Sequence, residues 1–224
     1  MQETIRILMT DDHPMIIEGY QNTLLSTKKE SQEIDIDIAN NCDESVNYMD
    51  KASNSDHPYD ILFLDISLPP SKDGKMNSGE DLAKYARSVL PEAKIIILTM
   101  FNEPYRVQNI LKTINPEGFL IKSDLTSSEL ASAFQAILFR PPFYSGTVNS
   151  IIKKTITSDI VVDSINRKIL HLLAQGIKTK SLIDHINLSM SAIEKRKKQL
   201  KILFSVGDSN DESLLIEARK NGFI

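Results

Sequence analysis

Cysteine is nearly absent: Cys42 stands alone among 224 residues, so no disulfide can form within the chain. Four scattered histidines with that one cysteine exclude a His/Cys zinc cluster, so a metal here would be a hard cation held by carboxylate oxygens. Long hydrophobic runs are missing as well. The longest aliphatic stretches, such as Ile95 to Leu98, have strand length, far short of the roughly 18 to 20 residues that cross a bilayer. The start, Met1-Gln-Glu-Thr-Ile-Arg, lacks the basic and then apolar pattern of a secretory signal. No membrane association and a reducing, cytoplasmic location are therefore expected. What is present is ordinary for a globular protein: 41% hydrophobic and 25% charged residues, which fits neither disorder nor a collagen or coiled-coil rod. The length leaves room for two domains.

The net charge of -4 conceals an asymmetry. Residues 1–140 carry 13 Lys+Arg against 22 Asp+Glu, a balance of -9, and residues 141–224 carry 13 against 8, a balance of +5. An acidic half and a basic half point to separate partners.

The first half alternates short β-rich runs with longer helical patterns. Ile5 to Met9, Glu33 to Ala39, Tyr59 to Leu64, Lys94 to Thr99 and Gly118 to Ile121 read as five strands, each followed by a helix. That alternation predicts an α/β doubly wound, five-stranded parallel sheet. Pro14 suits a first helical turn, where its missing N–H is not needed, so a helix should run from there to about Thr27. Thr126-Ser-Ser-Glu129 is a capping box that opens the fifth helix, and Pro141-Pro142 ends it. The stretch from Pro141 to about Asp159, with Pro-Pro, Ser-Gly and several Ser/Thr, reads as a linker. The expected domains are thus 1–140, a linker over 141–158, and 159–224.

Beyond the linker the pattern is all-α. Ile165, Ile169, Leu172 and Leu173 share one face of a helix capped by Asp163 and stopped before Gly176. Leu182, Ile183 and Ile186 mark a short second helix. Ser189 caps a third carrying Ile193, Leu200, Leu203 and Phe204, and Asp211 to Lys220 forms a fourth. The second-turn-third unit of this four-helix bundle has helix-turn-helix proportions.

Ligands of an open parallel sheet bind at the carboxyl ends of its strands. Those ends hold Asp11-Asp12 after the first strand, Asp65 after the third, Thr99 after the fourth and Lys122 after the fifth. Three converging carboxylates call for a divalent cation, and an all-oxygen set favours Mg²⁺. Taken singly, each residue has a plainer role. An Asp pair is more often a turn or a cap, Asp65 an N-cap, Thr99 a β-former, Lys122 a surface lysine and Phe119 core. Their company is what favours a site. His13, His57, His171 and Cys42 read as structural or surface residues.

Asp11-Asp12-His13-Pro14, Asp65-Ile-Ser-Leu-Pro69, Ile97-Leu-Thr99 and Gly118-Phe-Leu-Ile-Lys122-Ser resemble, in that order, the receiver motifs of two-component response regulators. Ile169-Leu-His-Leu-Leu-Ala-Gln-Gly176, Asn187-Leu-Ser189 and Ala192-Ile193 resemble the LuxR-type helix-turn-helix of the NarL/FixJ type. The resemblance covers nearly the whole chain and implies a flavodoxin-like receiver with a DNA-binding output domain. It implies that Asp65 accepts a phosphoryl group from a histidine kinase. Asp12, Asp65 and the backbone carbonyl of Ser67 would hold Mg²⁺ directly, and Asp11 through water. Thr99 and Lys122 would bind the phosphoryl group, and Phe119 would turn inward with the switch. In the output half it places Glu194, Lys195 and Lys198 at bases and Lys178, Thr179 and Lys180 at phosphates of double-stranded DNA, with a homodimer forming on phosphorylation. The chain departs from the family at Glu194, Ala192, Arg196 and Asn166, where Lys, Thr, His and Glu are usual, and in a segment after Asp65 some half-dozen residues longer than usual. The expected function is phosphorylation-controlled transcription, without enzymatic turnover. The alternative is a phospho-dependent protein-interaction module with a degenerate helical output domain.

Overall fold

β-branched runs too short for a helix form strands where both of their faces can be buried. The computed structural model describes residues 3–28, 32–157, 160, 162–207 and 210–224. Its elements are β1 (Glu3–Thr10), α1 (Pro14–Thr27), β2 (Gln32–Ala39), α2 (Cys42–Ser53), β3 (Ile61–Asp65), α3 (Gly79–Val89), β4 (Lys94–Thr99), α4 (Pro104–Ile114), β5 (Gly118–Ile121), α5 (Ser127–Phe139), β6 (Phe143–Tyr144), α6 (Gly146–Thr157), α7 (Ser164–Ala174), α8 (Met190–Leu203) and α9 (Asp211–Lys220). Two compact units result, Met1–Asn102 with Ile110–Val148, and Glu103–Asn109 with Asn149–Ile224.

In the first unit the strand order is β2-β1-β3-β4-β5-β6, and every pairing is parallel. Chain order reverses between β1 and β3, so the crevice for a ligand lies where Asp11 and Asp65 emerge. Alternate strand residues point to opposite faces. Ile7, Phe63 and Leu98 join Ile17 and Leu24 of α1 and Phe134 of α5 in one core layer. On the other face α2 and α3 pack against β1, β2 and β3.

The sheet has six strands where the sequence predicts five. The sixth, β6, has two residues, too few to show a period, and follows Pro141-Pro142 closely. The segment read as a linker is correspondingly more ordered than expected: α6 occupies most of it, with Val148 and Ile151 buried. Residues 158 and 159 of that segment lie outside the described residues.

In the second unit the expected caps form. Asp163 accepts from the Asn166 N–H at the start of α7, and Ser189 from the Ala192 N–H at the start of α8. Gly176, at φ +82°, ends α7 by donating to the Leu173 carbonyl, a backbone state that an L side chain rarely adopts. The short second helix is a 3-10 turn over Thr179–Asp184. Leu182 is buried there and Ile186 just after it, but Ile183 is 48% exposed. Leu203, expected inside, is 39% exposed at the end of α8.

Candidate functional site

Four side chains meet at the carboxyl end of the sheet. β1 delivers Asp11 and β3 delivers Asp65, with side chains only 2% and 1% exposed. Lys122, at the end of β5, places its Nζ 2.6 Å from Asp11 Oδ2 and 2.8 Å from Asp65 Oδ2. Burial works to lower the Lys122 pKa, but hydrogen bonds to Asp11 and Asp65 outweigh it and hold the ammonium above its usual range. Asp65 Oδ1 accepts from the Ser67 N–H at 3.1 Å, and Asp11 Oδ1 from the His13 N–H at 3.0 Å.

Asp12 completes the group from the side. Its Oδ1 is buried and makes no hydrogen bond, with His13 Nδ1 2.8 Å away. Ligand atoms of Asp11, Asp12, His13 and Asp65 all lie within 4.8 Å of one another. A carboxylate oxygen without a donor, beside two more carboxylates, fits a hard cation. His13, assigned by sequence to structure or surface, belongs to this cluster. Its signal was adjacency to the Asp pair.

Thr99 is fully buried at the end of β4, and its Oγ1 accepts from the Phe101 N–H at 3.0 Å. Phe119 is fully buried in β5. A cavity of about 370 Å³ opens beside Lys122 and is lined in part by Met15, Tyr20, Met100 and Leu130. Burial first, then the Asp11 and Asp65 carboxylates, raise the pKa of the Tyr20 phenol. Sequence reasoning missed Tyr20, which lies on α1 at no recognisable motif position.

The long segment after Asp65 folds on itself. The Ser71 N–H donates to the Met76 carbonyl at 2.7 Å, and Ser71 Oγ to Asp73 Oδ1 at 2.7 Å. The Ser71 hydroxyl and the Lys75 N–H hold the Asp73 carboxyl down to about 2. The segment returns to the site at Gly79, whose N–H donates to the Ile66 carbonyl at 3.2 Å.

On α8, Glu194, Lys195 and Lys198 are exposed, as are Lys178 and Lys180 on and before the 3-10 turn. Lys197, in the middle of the run of cations on this helix, turns inward. Its side chain is 9% exposed and its Nζ donates to Thr179 Oγ1 at 2.6 Å and Asp211 Oδ2 at 2.8 Å. Thr179 therefore accepts from inside the unit and keeps its own hydroxyl proton to donate. Arg196 donates to Asp163 Oδ2 at 2.8 Å and to Asn166 Oδ1 at 3.1 Å, and Lys201 lies 3.3 Å from Asp211 Oδ1.

No family model matches the chain. The transcriptional regulatory protein RcsB of Salmonella typhi is 25% identical over 215 residues, 94% of this chain and 92% of that protein. The oxygen regulatory protein NreC of Staphylococcus epidermidis is 23% identical over 206 residues, 86% and 88% of the two. Among solved structures, two RcsB dimers bound to two parallel DNAs match with a TM-score of 0.64 and 23% identity, over 97% of this chain and 99% of that one. RcsB from Salmonella enterica serovar Typhimurium, bound to a promoter in the presence of the phosphomimetic BeF₃⁻, matches with the same score, identity and coverage. Among the described residues no helix is long and apolar enough to cross a membrane.

Proposed function

We propose that this chain, a two-component response regulator by its receiver-plus-helix-turn-helix architecture and its relatives, is a cytoplasmic transcription regulator switched by phosphorylation of Asp65. The observation that carries the reading is the Lys122 ammonium shared between Asp11 and Asp65, with a buried Asp12 oxygen that accepts no hydrogen bond beside them. In phosphoryl transfer from a histidine kinase, an Asp65 oxygen bonds to phosphorus as the P–N bond of phosphohistidine breaks. Lys122 can then turn from carboxylate to phosphoryl oxygen as a point charge. Asp12, Asp65 and the Ser67 carbonyl would hold Mg²⁺, with Asp11 acting through water. Bound there, Mg²⁺ offsets charge on the phosphoryl oxygens. Thr99 supplies a hydroxyl to the same group, and Phe119 follows in β5. Such a switch is a shift between two populations biased by the new charge.

The functional division is a receiver over 1–140, a connection over 141–158 and a DNA-binding domain over 159–224. Glu194, Lys195 and Lys198 would face bases, and Lys178, Thr179 and Lys180 phosphates. RcsB binds DNA as dimers, and a phosphorylated homodimer on double-stranded DNA is the corresponding reading here. Asp65 turns over no substrate in this scheme, so the chain is a regulator and not an enzyme.

The test is modification by acetyl phosphate with Mg²⁺, followed by intact mass. Wild type should gain one phosphoryl group and Asp65→Asn none, because only a carboxylate forms the acyl phosphate. Equal labelling of both proteins would remove the reading. Phosphorylated protein that selects no DNA above background at low salt would replace transcription by the interaction-module alternative.

A further inference from the structure

β5 ends in Ile121 and runs directly into a 3-10 turn, Lys122–Asp124, closed by the Leu125 N–H on the Lys122 carbonyl at 3.3 Å. The first residue of that turn reaches the phosphoacceptor, and the third reaches elsewhere. Asp124 accepts the Thr147 N–H at 2.9 Å on Oδ2 and the Thr147 hydroxyl at 2.8 Å on Oδ1. Thr147 is the second residue of α6, so its N–H is one of those a helix cannot satisfy internally. Asp124 thus caps α6 from a different segment and sets a carboxylate at its amino end.

The cap is one of several ties between the same two stretches. The Phe143 N–H donates to the Glu117 carbonyl at 2.9 Å and the Ser145 N–H to the Phe119 carbonyl at 3.0 Å. The buried Ser145 hydroxyl accepts from the Ile121 N–H at 3.2 Å and donates to Asp124. Burial alone would raise the Asp124 carboxyl, but Ser145 and Thr147 hold it below its usual range. Residues 143–147 are therefore fastened to the strand that carries Phe119 and to the turn that carries Lys122.

We propose that Asp124 is a positioning residue that couples the charge state of Asp65 to the amino end of α6. The inference rests on Asp65 being the phosphoacceptor. When Lys122 leaves Asp65 for a phosphoryl oxygen, the short turn that holds Lys122 and Asp124 two residues apart transmits the displacement to Thr147. α6 is the element through which the chain leaves the sheet for its second unit, so a change in its first turn stands at the start of the output.

The experiment is hydrogen exchange at the Thr147 amide in the full chain, with and without beryllofluoride and Mg²⁺, in wild type, Asp124→Ala and Asp124→Asn. In wild type, exchange at Thr147 should change at least threefold on adding beryllofluoride. In Asp124→Ala that response should vanish while beryllofluoride still binds, and Asp124→Asn, which keeps one acceptor oxygen, should restore part of it. An Asp124→Ala protein that keeps the full Thr147 response overturns the proposal, as does a wild-type amide that ignores bound beryllofluoride. Failure of beryllofluoride to bind wild type at all would instead refute the phosphoacceptor reading. A merely structural role would lower thermal stability in Asp124→Ala but leave the ratio of exchange rates with and without beryllofluoride unchanged.

Discussion

Replacing Gly79 by alanine sets two effects of opposite sign against each other. By propensity, Gly→Ala at a helix position stabilises by up to about 1 kcal/mol. Space decides otherwise. A Cβ at Gly79 would lie 1.8 Å from the Asp65 carbonyl oxygen and 2.9 Å from the Ile66 Cα. Carbon and carbonyl oxygen tolerate about 3.3 Å, so the backbones must separate by well over an ångström. Neither partner is a side chain that can change rotamer. Overpacking of this kind costs about 1 to 3 kcal/mol, and the 3.2 Å bond from the Gly79 N–H to the Ile66 carbonyl is strained or lost with it, a further loss of about 0.5 to 1.5 kcal/mol. The expected net loss is about 2 kcal/mol, a large share of a typical 5 to 15 kcal/mol. Because the moved atoms belong to Asp65 and Ile66, beryllofluoride affinity should fall at least tenfold. Urea unfolding by circular dichroism and titration with beryllofluoride read the two effects. Gly74→Ala is the control: Gly74 has φ +69° but open space around it, so its alanine should cost about 1 kcal/mol and leave affinity intact. A Gly79→Ala protein as stable as wild type, with unchanged affinity, would refute the steric reasoning.

Two further outcomes concern charge. Lys122→Ala strips the ammonium from two carboxylates that are almost fully buried, which should cost about 3 to 5 kcal/mol, and calorimetry should show Mg²⁺ raising the melting temperature more in the variant than in wild type. In the second unit, burial opposes ionisation of Asp163 and Asp211, yet the Asn166 N–H with Arg196, and Lys197 with Lys201, hold their pKa values low. Carboxyls depressed in the fold stabilise it above the unfolded pKa of about 4 and lose that contribution as pH falls through the folded value. Melting scans from pH 7 to pH 3 should therefore show a decline below about pH 5 that Asp211→Asn makes shallower.

Where the deciding forces are local, the sequence was legible. The caps at Thr126, Asp163 and Ser189 bond their own first turns, and β4 and β5 span the residues expected of them. The strand-end residues were legible for another reason: a parallel sheet brings all its carboxyl ends to one side. β6 and the cap of α6 were not legible, because two residues carry no period and Asp124 lies 23 residues from its partner Thr147. Lys197 was hidden by its neighbours in a run of cations. Spacing did hold a signal, since Ile193, Lys197, Leu200 and Phe204 follow the i, i+4, i+7, i+11 stripe of a buried face. The burial of Lys197 lowers the charge that the proposed reading can offer to DNA. Of the five cations from Lys195 to Lys201, three face carboxylates: Arg196 with Asp163, and Lys197 and Lys201 with Asp211. In the proposed reading Lys178 and Lys180 at phosphates, and Lys195 and Lys198 in the groove beside them, would then be the cations of this set that displace counterions from DNA. Four contacts give a slope of log affinity against log salt of about -3.6 per protomer, where seven would give about -6. Lys197→Met should leave that slope unchanged while Lys178→Ala and Lys180→Ala each lower it by about one. A slope near -6, or one that falls when Lys197 is replaced, would place the buried lysine on the DNA after all.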